Sequence, residues 1–391
     1  MVDYVVNPTA SLSVRLTLRR RGKGVNEVDL DAVRQPELCR ALVDMLLAPD
    51  GDRELELDST VLERLSELGV LVPDADVPGT VAYSCPLSLK GLELIPYESR
   101  HEHPGPPLIV NSGLCIQDGP DLTGPLRDRV APCSALSPAR PILWVADPDT
   151  QIWMPTWPDP EITRIIFDLQ SGALAVESLG DAARRVLRLA GVLRPSAAAG
   201  GPANSRAEEL ERAARDLRDR GHAVIRKLLP PLQQAAIRRY VRSLQREGIF
   251  HEGDDHVPTR TRVHNEAVTS LLHRGFSGIV DRIVPSPCKP SYSLLVHYRP
   301  GSVLGRHTDR EQCEWNVSWI ADADPETEEE AAWPIHFEHE GEEAMARLEI
   351  GDAVLYSGRR TPHWREALSD GHHVDACFFH FVDVRFEGSL D

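Results

Sequence analysis

The C-terminal part of the chain alternates between short apolar runs and turn residues. The runs are rich in aromatic and β-branched residues and are bounded by Gly, Pro or Asp, which is typical of strands. About eight such strands in about 95 residues predict a β-barrel or sandwich. The clearest runs are S-Y-S-L-L-V-H-Y, E-W-N-V-S-W-I-A, P-I-H-F-E, D-A-V-L-Y-S and V-D-A-C-F-F-H-F-V.

Helical patterns precede this β-rich region. Residues 206–220 alternate Glu and Arg at a spacing that allows i,i+4 charge pairs, which favours a helix with a solvated face. A second helix is expected to follow Pro230 and Pro231, because proline suits the first helical position. A third is predicted from Glu266 to Ile283. The region from 206 to the C-terminus is therefore expected to be a β-barrel flanked by helices.

The N-terminal half has a different texture. Residues 28–72 carry two helical patterns, and Asp58 suits the cap of the second. This pattern is compatible with a winged-helix-like unit, either as an ordinary packing domain or as a peptide-docking module. Residues 80–190 are rich in proline, and I-L-W-V-A-D, I-I-F-D-L and A-L-A-V-E-S-L are candidate strands.

A short Gly/Pro-rich segment, Arg194 to Ser205, marks the clearest boundary. We expect an N-terminal domain over 1–195 that recognises substrate or a peptide, a linker over 196–205, and a catalytic domain over 206–391. The expected fold class is α+β, with a barrel or sandwich of short strands at the C-terminal end.

Composition narrows the class of partner. The chain has 391 residues and a formal net charge of −17, which disfavours nucleic acid and anionic membranes. Seven cysteines without a C-x-x-C pair favour reduced thiols in a cytoplasm. No signal peptide or long apolar span is evident, so we expect a cytoplasmic protein. The sequence does not determine an oligomeric state.

The strongest candidate chemistry is a metal site. His307 and Asp309 are two residues apart, so in a strand their side chains would share one face. His363 follows near the end of the β-rich region. Two histidines and one carboxylate form the facial triad of non-haem Fe(II) oxygenases, which leaves coordination positions open. We therefore interpret these three residues as both the metal ligands and the catalytic centre.

The surrounding motifs resemble a known family. Y-R-P-G at 298–301, H-T-D at 307–309, G-D-A-V at 351–354, the distal His363 and a last strand follow the order found in Fe(II)/2-oxoglutarate-dependent oxygenases. The likeness covers about residues 220–385 and is greatest to the prolyl-hydroxylase-like group. It implies a jelly-roll or cupin-like barrel, that is, a double-stranded β-helix, and a dioxygenase that uses Fe(II), 2-oxoglutarate as co-substrate, and O₂.

The chain departs from the family at the position that binds the far carboxylate of 2-oxoglutarate. The usual basic residue, about ten residues after the distal histidine, is replaced by His373, and Asp375 follows where serine is usual. Arg365 is two residues after His363 and should share its face, so it is our first candidate anchor. Tyr298 is expected to assist it, with His373 as the alternative.

Other residues are candidates for contacts with the substrate. Arg262 and Asn265 precede the barrel, together with Arg260 and His264, where members of the family often cover the site. We expect a hydroxylase that acts on an amino-acid or peptide substrate in a bacterial biosynthetic or modification pathway, and the peptide substrate is suggested by the possible docking module. Two alternatives remain open: an iron-dependent oxidase on the same barrel that does not use 2-oxoglutarate, and a non-catalytic binding protein that retains the barrel.

Overall fold

The structure is a computed structural model. The predicted winged-helix-like unit, residues 28–72, lies outside the described residues except for its last two positions. The described residues are 4–6, 71–73, 81–89, 107–118, 121–122, 124–130, 132–137, 141–148, 150–196, 206–252, 257, 259–326 and 332–390.

Three of the described helices lie between residues 125 and 189, and three lie between residues 206 and 283, where they alternate with the first strands of the seven-stranded sheet. None of the helices in the described part of the chain has the length and apolarity needed to cross a membrane. The three helices predicted after residue 205 are confirmed to within one residue of their expected ends. The helices are α1 (Pro125–Arg129), α2 (Pro160–Ser171), α3 (Asp181–Leu189), α4 (Arg206–Arg220), α5 (Pro231–Arg246) and α6 (Ala267–Ile283).

Strands make up most of the C-terminal region and recur in short pairs before it. The strands are β1 (Tyr4–Val6), β2 (Leu71–Pro73), β3 (Pro86–Leu87), β4 (Leu108–Val110), β5 (Leu114–Gln117), β6 (Ile142–Ala146), β7 (Trp153–Pro158), β8 (Leu193–Pro195), β9 (His222–Ile225), β10 (His251–Glu252), β11 (Arg260–His264), β12 (Cys288–Tyr298), β13 (Leu304–His307), β14 (Trp315–Asp324), β15 (Ile335–His339), β16 (Glu342–Ala346), β17 (Ala353–Tyr356), β18 (His363–Arg365) and β19 (His373–Asp383).

Two antiparallel sheets form the C-terminal region. A seven-stranded sheet has the order β10-β11-β12-β19-β14-β17-β9, and a four-stranded sheet has the order β13-β18-β15-β16. Hydrogen bonding does not close these described strands into a barrel. The expected α+β class is confirmed, and two facing antiparallel sheets are consistent with a jelly-roll arrangement.

Side chains of the large sheet alternate between its two faces, as the period of two requires. On β12, Tyr292 and Tyr298 belong to a buried cluster that includes Phe337 of the small sheet. The intervening Leu295 belongs to a different cluster, which includes Phe276 of α6. One face therefore looks into the space between the sheets, and the other packs on the helices.

A β-bulge shifts this alternation on β14. The register with β19 slips between Ile320 and Asp322, so that Asp322 stands opposite Asp375. The bulge turns Asp322 to the helix-facing side, where Asp375 already lies through the regular alternation of β19. Arg238 and Arg242 of α5 form ion pairs with Asp322 there and compensate its buried charge.

The N-terminal region shares a core with the helices of the C-terminal region. Tyr83 and Met154 are buried in the same cluster as Phe276 of α6. A Cβ added at Gly278 of that helix would lie 3.2 Å from the carbonyl oxygen of Thr150, so the two parts approach closely. The packing provides a fixed contact between the regions.

Two of the three strands expected between 80 and 190 are wrong. Ile142–Ala146 is a strand, as expected. I-I-F-D-L instead lies in α2, because Asp159 accepts a hydrogen bond from the Ile162 amide and Pro160 starts the helix. A-L-A-V-E-S-L contains a 3₁₀ turn at Val176–Ser178. The expected linker, 196–205, lies outside the described residues except for Ser196, which bonds Pro107.

Candidate metal and co-substrate site

The two candidate histidine ligands lie on neighbouring strands of the small sheet. His307 at the end of β13 pairs in register with His363 at the start of β18. The two imidazole centroids are 4.3 Å apart. His307 Nδ1 lies 2.8 Å from the Gly305 carbonyl oxygen, and His363 Nδ1 lies 3.0 Å from that of Thr361. These contacts favour a proton on each Nδ1 and leave both Nε2 atoms as acceptors for a metal.

Asp309 lies beyond the end of β13, so its position does not follow from strand alternation. Its amide donates to the Gly358 carbonyl oxygen at 2.8 Å. A Cβ at Gly358 would lie 2.3 Å from Asp309 Oδ2 and 2.5 Å from the Cys313 carbonyl oxygen. Glycine is therefore required at 358 for the turn before His363 to pack on the Asp309 loop.

The three side chains converge on one point. His307 Nε2 lies 3.4 Å from Asp309 Oδ1, and His363 Nε2 lies 3.7 Å from the same oxygen. One ligand atom from each residue lies within 4.8 Å of the other two. Ligands bonded at about 2.1 Å and at right angles are about 3 Å apart, so a small closure would complete the face.

The protonation states of the three side chains depend on one another. Burial raises the pKa of Asp309, but the hydrogen bond with His307 and the charge of His363 outweigh it and hold that pKa at about 2. The hydrogen bond to Asp309 raises the pKa of His307. Burial lowers the pKa of His363, which is 2 % exposed. An ionised carboxylate beside a neutral His363 is the protonation state that binds a divalent metal.

Arg365 is the least expected side chain of the interior. It is 1 % exposed, two residues beyond His363 on β18. Its Nη1 donates to the Trp333 carbonyl oxygen at 2.8 Å, and its guanidinium lies 4.7 Å from the centre of the Trp333 ring. Within the described structure, its Nε and Nη2 have no hydrogen-bond partner. Burial lowers the pKa of Arg365.

Tyrosine hydroxyls stand near this guanidinium. Tyr298 and Tyr356 are both fully buried, and both influence the pKa of Arg365 electrostatically. Arg260 Nη1 donates to the Tyr298 hydroxyl at 3.3 Å, and the Arg260 charge also reaches His307. The interior thus combines a metal-binding cluster, a buried cation and two phenols.

His373 and Asp375 lie on the other face of the sheet. His373 stacks on His297 with ring centroids 5.3 Å apart, and Asp375 accepts from Gln245 Nε2 of α5 at 2.6 Å. Between them, Val374 faces the interior and is the partner of Tyr298 in the register. The structure therefore does not bring His373 to the metal-binding cluster, and Asp375 does not oppose an anion there.

The two candidate substrate contacts have different surroundings. Asn265 has a positive φ of 47° and exchanges hydrogen bonds with the backbone of Ser293, which gives it a role in the turn between β11 and α6. Arg262 is half-buried on β11 and is paired in register with Val296, which faces the interior. The Arg262 side chain therefore lies on the face of the large sheet that is turned towards the small sheet.

Sequence reasoning missed several residues around Asp309. Asn316 Nδ2 lies 3.4 Å from Asp309 Oδ2 and donates to the Tyr356 hydroxyl at 2.7 Å. Cys313 and His380 form a second potential ligand group with Asp309. Gly358 could have been identified as part of the site from its position in the turn five residues before His363. Nothing in the local sequence indicated that Asn316 or His380 would lie at the site.

No family model and no curated protein matches this sequence. A prolyl-4-hydroxylase from Pseudomonas putida is 14 % identical over 44 % of this chain and 98 % of that one, with a TM-score of 0.38. A prolyl hydroxylase from Trichoplax adhaerens, bound to a fragment of hypoxia inducible factor, is 12 % identical over 45 % and 90 %, with a TM-score of 0.39.

HygX from Streptomyces hygroscopicus, with nickel and 2-oxoglutarate bound, is 11 % identical over 45 % of this chain and 87 % of that one, with a TM-score of 0.36. The solved structures that this chain resembles include prolyl hydroxylases and other 2-oxoglutarate oxygenases. This is the family that the sequence motifs also resemble. At this low similarity, the argument for function rests on the residues of the site.

Proposed function

We propose that this protein is an oxygenase that uses Fe(II), 2-oxoglutarate and O₂. The observation that carries the proposal is the pairing of two features in one interior: a His/Asp/His cluster that can hold a metal, and a buried arginine with two unpartnered nitrogens. The cluster would bind a metal, and the arginine would bind an anion. A dicarboxylate keto acid that binds the metal through one end can reach the arginine with its far carboxylate.

The donor set fits Fe(II). His307, Asp309 and His363 offer two imidazoles and one carboxylate on one side of the ion, which is the facial arrangement of non-haem iron oxygenases. The backbone carbonyls of Gly305 and Thr361 hold the two rings in the tautomer that a metal requires. No thiolate is needed to complete the set.

Arg365 fits the far carboxylate of 2-oxoglutarate. A buried guanidinium without an anionic partner is costly, and its planar fork matches a carboxylate. Tyr298 adds a phenol that can donate to the same group. We assign both residues to the co-substrate and leave out His373, which lies on the helix-facing side of β19.

When bound together, ferrous iron and the keto acid supply the activation of O₂ and the oxidation of the substrate. The protein's own residues bind and orient the reactants. Asp309 and the two histidines would hold the metal from one side, and the buried Arg365 would fix the direction of the dicarboxylate.

Arg365 favours this reading over an oxidase that does not use 2-oxoglutarate. An enzyme without a dicarboxylate would leave this buried cation uncompensated. The structurally similar HygX contains nickel and 2-oxoglutarate, which is the kind of occupancy proposed for this chain. For the reaction, we propose hydroxylation of an amino-acid or peptide substrate.

Anaerobic titration tests the proposal. We expect the protein to bind one Fe(II), and addition of 2-oxoglutarate to the Fe(II) protein to produce a visible charge-transfer band. On exposure to O₂ with ascorbate present as the reductant, 2-oxoglutarate should then be converted to succinate and CO₂, with the second oxygen atom reduced to water. Iron binding without the band would point to the oxidase, and a failure to bind iron would reject an iron enzyme.

A further inference from the structure

We propose that the protein has a second metal position, formed by Cys313, His380 and a carboxylate oxygen of Asp309, and that this position takes Zn(II). These three residues are called the thiol cluster below. One ligand atom from each of them lies within 4.8 Å of the other two. The inference does not depend on 2-oxoglutarate, because it concerns only the donor atoms of these side chains.

The backbone brings the members of the thiol cluster to one side of the large sheet. Asp309 and Cys313 lie on one loop, in which the Cys313 amide donates to the Arg310 carbonyl oxygen at 3.0 Å and turns the chain back. His380 lies on β19 two residues after Phe378, which is buried between the sheets in the same cluster as Cys313. Because side chains two residues apart on a strand share a face, His380 is turned to the same interior.

Burial of His380 provides a second, independent observation. Cys313 is 1 % exposed and His380 is 5 % exposed. Within the described structure, His380 Nδ1 has no hydrogen-bond partner. A buried polar atom without a partner costs free energy, and a ring nitrogen of a neutral imidazole is a common metal ligand. A metal ion bound by the thiol cluster would therefore remove part of this cost.

Asp309 has two oxygens and can contribute to both metal positions. Its Oδ1 is the oxygen that lies 3.4 Å from His307 Nε2 and 3.7 Å from His363 Nε2. Its Oδ2 lies 3.4 Å from Asn316 Nδ2, and Asn316 is the partner of His380 in the strand register. This arrangement leaves Oδ2 for the second ion, and Asp309 would then bridge the two ions.

The donor types of the thiol cluster select Zn(II) over Fe(II). Zinc sites are built from thiolate, imidazole and carboxylate ligands, and three protein ligands leave a fourth tetrahedral position for water. A soft thiolate favours zinc, whereas the first cluster has only nitrogen and oxygen donors. The Tyr292 hydroxyl lies 3.1 Å from Cys313 Sγ and can donate to the thiolate. Binding forms a zinc–sulfur bond and releases the thiol proton to the buffer, without any change of oxidation state.

Co(II) is the probe for this position, because a thiolate-to-cobalt charge-transfer band in the near ultraviolet reports sulfur ligation directly. The full chain is kept anaerobic with a phosphine reductant and is titrated with Co(II). We expect the band in the wild type and in a double variant, His307→Ala with His363→Ala. Cys313→Ser should lose the band, and His380→Gln should weaken the binding that produces it by roughly tenfold. Cys288→Ser is the matched control, since Cys288 is also a buried free thiol and lies outside the thiol cluster.

Competition between metals tests the choice of zinc. Zn(II) should abolish the cobalt band and bind roughly tenfold or more tighter than Co(II), whereas an equal concentration of Fe(II) should leave the band in place. Displacement by Fe(II) as readily as by Zn(II) would overturn the zinc assignment.

Three further results would overturn the second metal position. They are the absence of the band in the wild type, persistence of the band in Cys313→Ser, and unchanged cobalt affinity in His380→Gln. Loss of the band in the double histidine variant would mean that the sulfur belongs to the first metal position, which also contradicts the inference. The proposed function is tested separately by the band of the Fe(II) protein with 2-oxoglutarate, so failure of one proposal is distinguishable from failure of the other.

Discussion

His307 and His363 face each other across β13 and β18, as direct partners in the strand register with ring centroids 4.3 Å apart. A pair of strands can hold two imidazoles at this separation without help from any loop. Asp309, the third candidate ligand, is the one whose position depends on a turn, through its amide hydrogen bond to the Gly358 carbonyl oxygen.

We expect His363→Ala to weaken Fe(II) binding by roughly a hundredfold, because the variant loses one of three protein ligands. Anaerobic titration with a competing chelator measures the affinity. His336→Ala is a matched control: His336 lies on the adjacent strand β15, stacked on Trp364, and is not part of the cluster. Equal iron affinity of the His363→Ala variant and the wild type would contradict the ligand assignment.

Gly358→Ala should disturb the metal site without replacing any of the three candidate ligands. The added methyl group would lie 2.3 Å from Asp309 Oδ2, and it also meets the Cys313 carbonyl oxygen, which cannot move away as a flexible side chain would. We expect iron affinity to fall roughly tenfold or more, as for other residues that support metal ligands. Gly305→Ala is the control, since nothing lies within 4 Å of a Cβ there. Similar effects of both substitutions would show that only backbone freedom matters.

The sequence predicted which three residues would form one cluster, but it did not predict how their backbone brings them together. Spacing of two between His307 and Asp309 suggested one strand face, but β13 ends at His307. Asp309 reaches the cluster through its contact with Gly358, a tertiary contact that no local pattern shows. Arg365 follows the simpler rule, because β18 is extended from His363 to Arg365 and buries both.

The placement of His373 and Asp375 shows what the sequence could not provide. Position along the chain made them neighbours of a bound dicarboxylate, and only the register of β19 shows that Val374 occupies the inward position. The bulge at Ile320/Asp322 is a second example, because one extra residue turned a carboxylate towards α5. The strands themselves could be predicted from composition. The face of the sheet on which each side chain lies depends instead on pairing with strands far along the chain.

Replacement of Arg365 should separate stability from ligand binding. Arg365→Met removes a buried, poorly compensated charge, so we expect the ligand-free protein to become more stable by about 1–3 kcal/mol, as found for other buried charges. Urea denaturation measures this change. Saturating 2-oxoglutarate with a metal should stabilise the wild type by about 2.7 kcal/mol at a hundredfold excess over Kd. The variant should gain almost nothing from 2-oxoglutarate.

Arg347→Met provides the comparison for this experiment. Arg347 Nη1 also donates to a backbone carbonyl of the same loop, that of Ala332 at 3.0 Å, but Arg347 is only half-buried and lies outside the metal-binding cluster. Its replacement should leave the stabilisation by 2-oxoglutarate intact. If Arg365→Met also kept that stabilisation, another residue would hold the far carboxylate.

Stability should decrease in acid through His273, which lies on α6 far along the chain from the metal ligands. Burial, with the charge of His380 nearby, lowers the pKa of His273 to about 3, and His273 Nε2 lies 2.7 Å from the His380 carbonyl oxygen. Because the pKa is lower in the folded protein than in the unfolded chain, the stabilisation is complete above about pH 6.5 and is lost as the pH falls towards 3. Between pH 7 and pH 4 we expect a loss on the order of 3 kcal/mol. Denaturant unfolding of wild type and His273→Gln across this range measures this loss.

The His273→Gln variant should be less stable than the wild type at pH 7 and should lose less stability as the pH falls. His251→Gln, at an exposed position on β10, should follow the wild-type curve. Parallel curves for wild type and His273→Gln would mean that other groups control the acid sensitivity, and His380, whose pKa burial lowers to about 4, would be the next residue to replace.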